Sequence, residues 1–119
     1  MNRLVFSAAL FGFAVVALGA FGAHALSGAL TDEGRGWWQT ATLYGLTHAA
    51  AALAAGLSGQ AGRIAAGGWL LLGGAVIFSA TLYAMGPGAP RWLGAVTPVG
   101  GLVMLAGWLL IALGALRRG

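Results

Sequence analysis

The stretch Ile64-Ala-Ala-Gly-Gly-Trp-Leu-Leu-Leu-Gly-Gly-Ala-Val-Ile-Phe-Ser-Ala-Thr-Leu-Tyr-Ala-Met85 contains no charged residue. A helix that crosses a bilayer needs roughly 20 mostly apolar residues, and this run supplies them. Three more such runs flank it: Leu4 to Leu26, Trp37 to Leu57 and Leu93 to Leu116. The arginines fall almost only between them. The expectation is an all-α integral membrane four-helix bundle, antiparallel and up-down-up-down, forming a single four-span domain over residues 1–119.

The breaks read as turns. Ser27 to Gly36 is polar, and Thr31 is placed to cap the helix after it. Ser58 to Gly62 is short, which predicts antiparallel neighbours on either side. Gly86-Pro87-Gly88-Ala89-Pro90 cannot continue a helix, because proline lacks the donor and glycine lacks restraint.

Composition agrees. The 119 residues are 60% apolar and 7% charged, against about 25% charged in a soluble domain. The 22 glycines do not signal disorder, since disorder needs low hydrophobicity. The net charge of +4 comes from six arginines against Asp32 and Glu33, and there is no lysine. Spread at positions 3, 35, 63, 91, 117 and 118, the arginines make no nucleic-acid-binding patch. The absence of cysteine excludes disulfides, thiolate metal sites and cysteine nucleophiles.

Arg3, Arg63, Arg117 and Arg118 lie at one end of the expected bundle, and Arg35 and Arg91 at the other. Positive loops stay in the cytoplasm, so both termini are expected there. Trp37, Trp92 and Trp108 lie near helix ends, as interfacial tryptophans do, with Trp108 somewhat deep. Arg3, an apolar run and Ala23-His24-Ala25 imitate a cleaved secretory signal, but the run from Leu4 to Phe21 exceeds the usual 7–15-residue core. A retained span fits better.

Between helices in lipid there is no hydrophobic drive, so small residues and hydrogen bonds hold them together. Gly100, Gly107 and Gly114 recur every seven residues. This smooth stripe suits packing within the bundle or self-association.

Polar groups gather at one level. His48 lies eleven residues past Trp37, about 16 Å down and near the bilayer centre. Thr40, Tyr44 and His48 are spaced by four, on one helix face. Ser79 and Tyr83 are also spaced by four, with Thr81 nearby. Thr97 opens the fourth span, followed by Pro98 in a favourable first-turn position, and His24 lies at the outer end of the first. All belong to the outer half, whereas the inner half is almost devoid of side-chain polarity. Such groups can serve interhelical hydrogen bonding alone. Ionisable groups within spans are also functional candidates, and the functional reading is a small ligand pocket with His48 at its floor.

Other chemistries lack residues. A zinc site needs three or four ligands, which two histidines and two loop carboxylates at different depths do not provide. His24 and His48 differ by about 12–15 Å in depth, too far for a shared haem. The acids sit in a loop, leaving no intramembrane Ser-His-acid set, and no proton relay crosses the inner half. No metal or cofactor is expected.

Four ordered motifs then carry a resemblance. They are Gly19-Ala20-Phe21-Gly22-Ala23-His24-Ala25-Leu26; Trp38-x-Thr40-Ala41-x-x-Tyr44-x-x-x-His48-Ala49; Phe78-Ser79-x-x-Leu82-Tyr83; and Leu93-Gly94-x-x-Thr97-Pro98-x-Gly100-Gly101. Together they resemble domain-of-unknown-function family 423, small bacterial inner-membrane proteins without an established activity. The resemblance spans nearly the whole chain and implies a four-span inner-membrane protein with no catalytic residues to assign. The functional expectation is a non-enzymatic binding or accessory component. Its expected partners are membrane lipid and either further copies of itself or a larger membrane complex. The alternative is a small oligomeric transporter or channel.

Overall fold

The computed structural model describes residues 1–116; Arg117 and Arg118, counted above for orientation, lie outside the described residues. Four helices make up the fold, and no strand occurs among the described residues. We label them α1 (Arg3–Ala25), α2 (Asp32–Leu57), α3 (Arg63–Met85) and α4 (Thr97–Leu116). A 3-10 turn, Arg91–Ala95, leads into α4.

Local chemistry sets the boundaries. The Asn2 side chain accepts from the Val5 amide at 3.1 Å, capping α1, and donates to the Gly56 carbonyl at 2.9 Å, tying the start of α1 to the end of α2. Thr31 caps α2 as expected, accepting from the Gly34 amide at 3.0 Å. Asp32 and Glu33 follow in the first turn, where negative charge suits the helix dipole. The α2–α3 turn uses Gly59 and Gly62 at φ +72° and +66°, a conformation closed to most side chains.

Three of the four helices are long and apolar enough to cross a membrane: α1, α3 and the Arg91–Leu116 segment containing α4. α2 is the exception. Its first turns carry Asp32, Glu33, Arg35 and Gln39, and its body carries Thr40, Thr42, Tyr44, Thr47 and His48. Its buried residues are regularly spaced. Gly34, Trp38, Ala41, Gly45, His48, Ala52 and Ala55 are all buried, with alternating spacings of four and three, the seam of a tight helix pair.

Packing follows chain order. α1 lies on α2, α2 on α3 and α3 on α4, while the backbone of α4 hardly approaches α1 or α2. The bundle is therefore open along one side. Glycines allow the closest approaches. A Cβ on Gly19 would meet Thr42 at 2.7 Å, and one on Gly22 would meet the Trp38 ring at 2.6 Å. Between α3 and α4 the backbones themselves touch: a Cβ on Gly100 would lie 2.6 Å from the Gly74 carbonyl, and one on Gly107 2.8 Å from that of Gly67. Gly114 faces Ile64 and Arg63. The heptad glycine stripe is thus occupied within the molecule, and α4 does not offer it to a second copy.

Candidate functional site

Three polar clusters join the helices. The first links α1, α2 and α3. At Leu18–Gly22 the first helix widens into a π turn, a loosening of the backbone ladder that often marks functional places. The Trp38 indole donates to the Leu18 carbonyl at 3.0 Å. The Thr42 hydroxyl lies 3.0 Å from the Trp38 carbonyl and 2.6 Å from the Tyr83 hydroxyl. Trp38 and Tyr83 meet edge to face at 4.5 Å.

The second is a pair of threonines. Thr81 and Thr97 share a 2.6 Å hydroxyl–hydroxyl bond between α3 and the start of α4. Deeper in the core, Ser79 is fully buried and donates to the Ala41 carbonyl at 2.8 Å.

The third cluster is at His48, which is 5% exposed. Its Nδ1 lies 2.8 Å from the Tyr44 carbonyl, which can only accept. Nδ1 therefore carries the proton and Nε2 accepts. The Trp108 indole N–H donates to that Nε2 at 3.0 Å. Both ring nitrogens are satisfied in one neutral tautomer. Tyr44 stacks on the imidazole at 5.9 Å and tilts against Phe78 at 4.7 Å.

Around this cluster the open side of the bundle forms a groove of about 560 Å³ between α2 and α4, lined by Tyr44, His48, Phe78, Pro98, Leu105 and Trp108 among others. A second hollow of about 310 Å³ adjoins it, sharing Phe78 and Pro98 and reaching Trp37 and Arg91. There the Arg91 guanidinium sits 5.5 Å above the Trp37 ring and pairs with Glu33.

The seven residues singled out from sequence separate accordingly. Tyr44 and His48 line the groove, and Thr97 lines the hollow beside it. Ser79 and Tyr83 are buried in helix-to-helix bonds. His24 is exposed and Thr40 half-buried, and neither joins a cluster. Spacing by four selected Thr40, but the seam of α2 passes through Trp38 and Ala41, and Thr42 makes the bond to α3. Sequence position suggests an interfacial Trp108; in the structure it is the partner of His48. Depth could have found it, since Trp108 lies eleven residues past Thr97 just as His48 lies eleven past Trp37. No group of three metal-ligating side chains occurs among the described residues.

Membrane-length apolar helices whose polar groups bond to one another define an integral membrane protein. The chain belongs to the family described as Protein of unknown function (DUF423), whose model matches residues 18–101. The match takes in the π turn, Trp38, His48, Tyr83 and Thr97, and ends before Trp108. The chain is similar to the UPF0382 membrane protein SERP0230 of Staphylococcus epidermidis, 39% identical over 119 residues and 98% of each chain. It is also similar to the UPF0382 membrane protein YwdK of Bacillus subtilis, at 36% over 122 residues and 98% of each. The UPF0382 inner membrane protein YgdD of Escherichia coli is 42% identical over 116 residues, covering 92% of this chain and 86% of that one. No solved structure matches the chain.

Proposed function

We propose that this protein is a non-enzymatic binding or accessory component of the bacterial inner membrane, one four-span domain that takes the tail of a membrane lipid into the cleft between α2 and α4. The observation that carries the reading is the cleft itself. Two helices stand apart, an aromatic and apolar groove runs between them, and a hydrogen-bonded pair, His48 and Trp108, bridges it. In a bilayer such a lateral opening faces acyl chains.

The fourth span is α2. Its 26 residues reach about 39 Å, more than the roughly 30 Å hydrocarbon core. Its Trp38, Thr42 and His48 side chains find partners within the protein. Contacts along α2 run from Gly34 beside Gly86 to Gly45 beside Ser79, and along α1 from Gly22 beside Trp38 to Gly56 beside Val5. In both series one residue number falls as its partner's rises, which supports the up-down-up-down arrangement. The arginine count still favours Arg3 and Arg63 with the cytoplasm, so the cleft belongs to the outer half. Within it, Tyr44, His48 and Thr97 are the lining polar residues, and Ser79 and Tyr83 hold the wall behind them.

Purification in mild detergent followed by mass spectrometry of bound lipid and protein tests the reading. Retained lipid is expected, and it should fall sharply in Gly101→Leu, because Gly101 lines the groove and a Cβ there meets nothing within 4 Å. Recovery of the chain alone, with neither lipid nor protein, would sink it.

A further inference from the structure

Above the hollow at Arg91 lies a third cavity of about 380 Å³, lined by Thr31, Glu33, Trp37, Arg91 and the Gly86–Pro90 turn. It shares Trp37, Met85 and Arg91 with the hollow below, which in turn shares Phe78 and Pro98 with the groove. The three adjoin in series through these shared residues, charged at one end and apolar at the other. From Trp37 to His48 the series descends about 16 Å, close to the roughly 15 Å of one leaflet's hydrocarbon. The His48–Trp108 bridge lies at that depth.

The charged end carries both signs. Arg91 pairs with Oε1 of Glu33 alone, and both side chains are largely exposed, at 77% and 54%. A purely anionic headgroup drawn to Arg91 meets the Glu33 carboxylate, and a purely cationic one drawn to Glu33 meets the guanidinium. A zwitterion satisfies both. A phosphate takes the remaining donors of the guanidinium fork, and an ammonium reaches the second carboxylate oxygen. Only an ammonium bearing protons donates there; a quaternary one does not.

Resting on the lipid-cleft reading above, we propose that the occupant is a phospholipid with a primary-ammonium zwitterionic headgroup of the phosphoethanolamine type. Its phosphate lies on Arg91, its ammonium on Glu33, and one acyl chain runs past Phe78 and Pro98 to the His48–Trp108 floor.

The test is native mass spectrometry of the full chain offered an equimolar mixture of phosphatidylethanolamine, phosphatidylcholine and phosphatidylglycerol with identical acyl chains. The wild type should retain the ethanolamine lipid about two- to fivefold over each of the others, the worth of one exposed charge pair. Glu33→Gln should erase the excess over the choline lipid and raise the glycerol lipid, and Arg91→Gln should lower all three. Lipid retained without headgroup preference, or an ethanolamine excess unmoved by Glu33→Gln, overturns the headgroup assignment and leaves the cleft reading standing. Retention untouched by Gly101→Leu overturns both.

Discussion

Trp108 donates its indole N–H to Nε2 of His48 at 3.0 Å, between two helices whose backbones hardly meet. That bond is a polar tie across the open side of the bundle, and it exists only while Tyr44 O holds the imidazole proton on Nδ1. A double-mutant cycle with His48→Phe and Trp108→Phe should therefore show coupling. About 0.6 kcal/mol is the average for an interhelical bond in a membrane protein, and about 1.7 the upper range. Unfolding in mixed micelles reads it. Additive effects of the two substitutions would mean that the pair does not hold α4 to α2.

Gly74 and Gly100 place the backbones of α3 and α4 in contact, so their loss should be costly. In Gly100→Ala the new methyl meets the Gly74 carbonyl at 2.6 Å, and in Gly74→Ala it meets the Gly100 carbonyl at 2.7 Å. Neither carbonyl is free to turn away within a helix. Each change should destabilise by about 1–3 kcal/mol, the range for overpacking. Gly73→Ala is the control: its methyl meets nothing, and alanine's helix propensity should make it neutral or stabilising by up to about 1 kcal/mol. Thermal unfolding in detergent separates the three.

Ser79 is fully buried, with its hydroxyl on the Ala41 carbonyl and its Oγ 3.2 Å from where a Cβ on Gly45 would sit. Ser79→Ala should cost little, about 0.6 kcal/mol for one such bond, since the Ala41 carbonyl keeps its place in the helix ladder. Ser79→Val should cost more, because its added methyls press on the α2 backbone at Gly45. The reverse order in thermal unfolding would show that the hydrogen bond, and not the close fit, matters at this point.

The helices and their turns were legible from the apolar runs and from the polar or Gly/Pro breaks between them. The Thr31 cap, the Gly59–Gly62 turn and the break at Pro87 follow from single residues. The polar layer was legible as a level and not as a set of partners. Depth counting placed Tyr44, His48, Ser79 and Tyr83 near one another, but partners depend on the rotation of each helix about its axis, and a helix as apolar as α4 gives no pattern to fix that rotation. Hence sequence alone points to the interface for Trp108 and to Thr40 rather than Thr42, whereas the bonds are made by Trp108 and Thr42. The open side of the bundle was equally hidden, because chain order alone does not say whether α4 returns to α1.

Topology offers the last test, and the absence of cysteine makes it clean. Single cysteines report which end of the bundle faces out, provided that the new side chain disturbs nothing. Gly36 meets that condition: a Cβ there touches nothing within 4 Å, and it lies one residue past Arg35 at the Arg91 end. Gln60 lies in the exposed α2–α3 turn beside Arg63 at the opposite end. With the positive ends in the cytoplasm, a membrane-impermeant maleimide added to intact cells should label Gly36→Cys and spare Gln60→Cys until the inner membrane is breached. The opposite pattern would invert the bundle and move the cleft to the cytoplasmic leaflet. Labelling of both from outside would mean that α2 does not cross, and the four-span arrangement would fall with it.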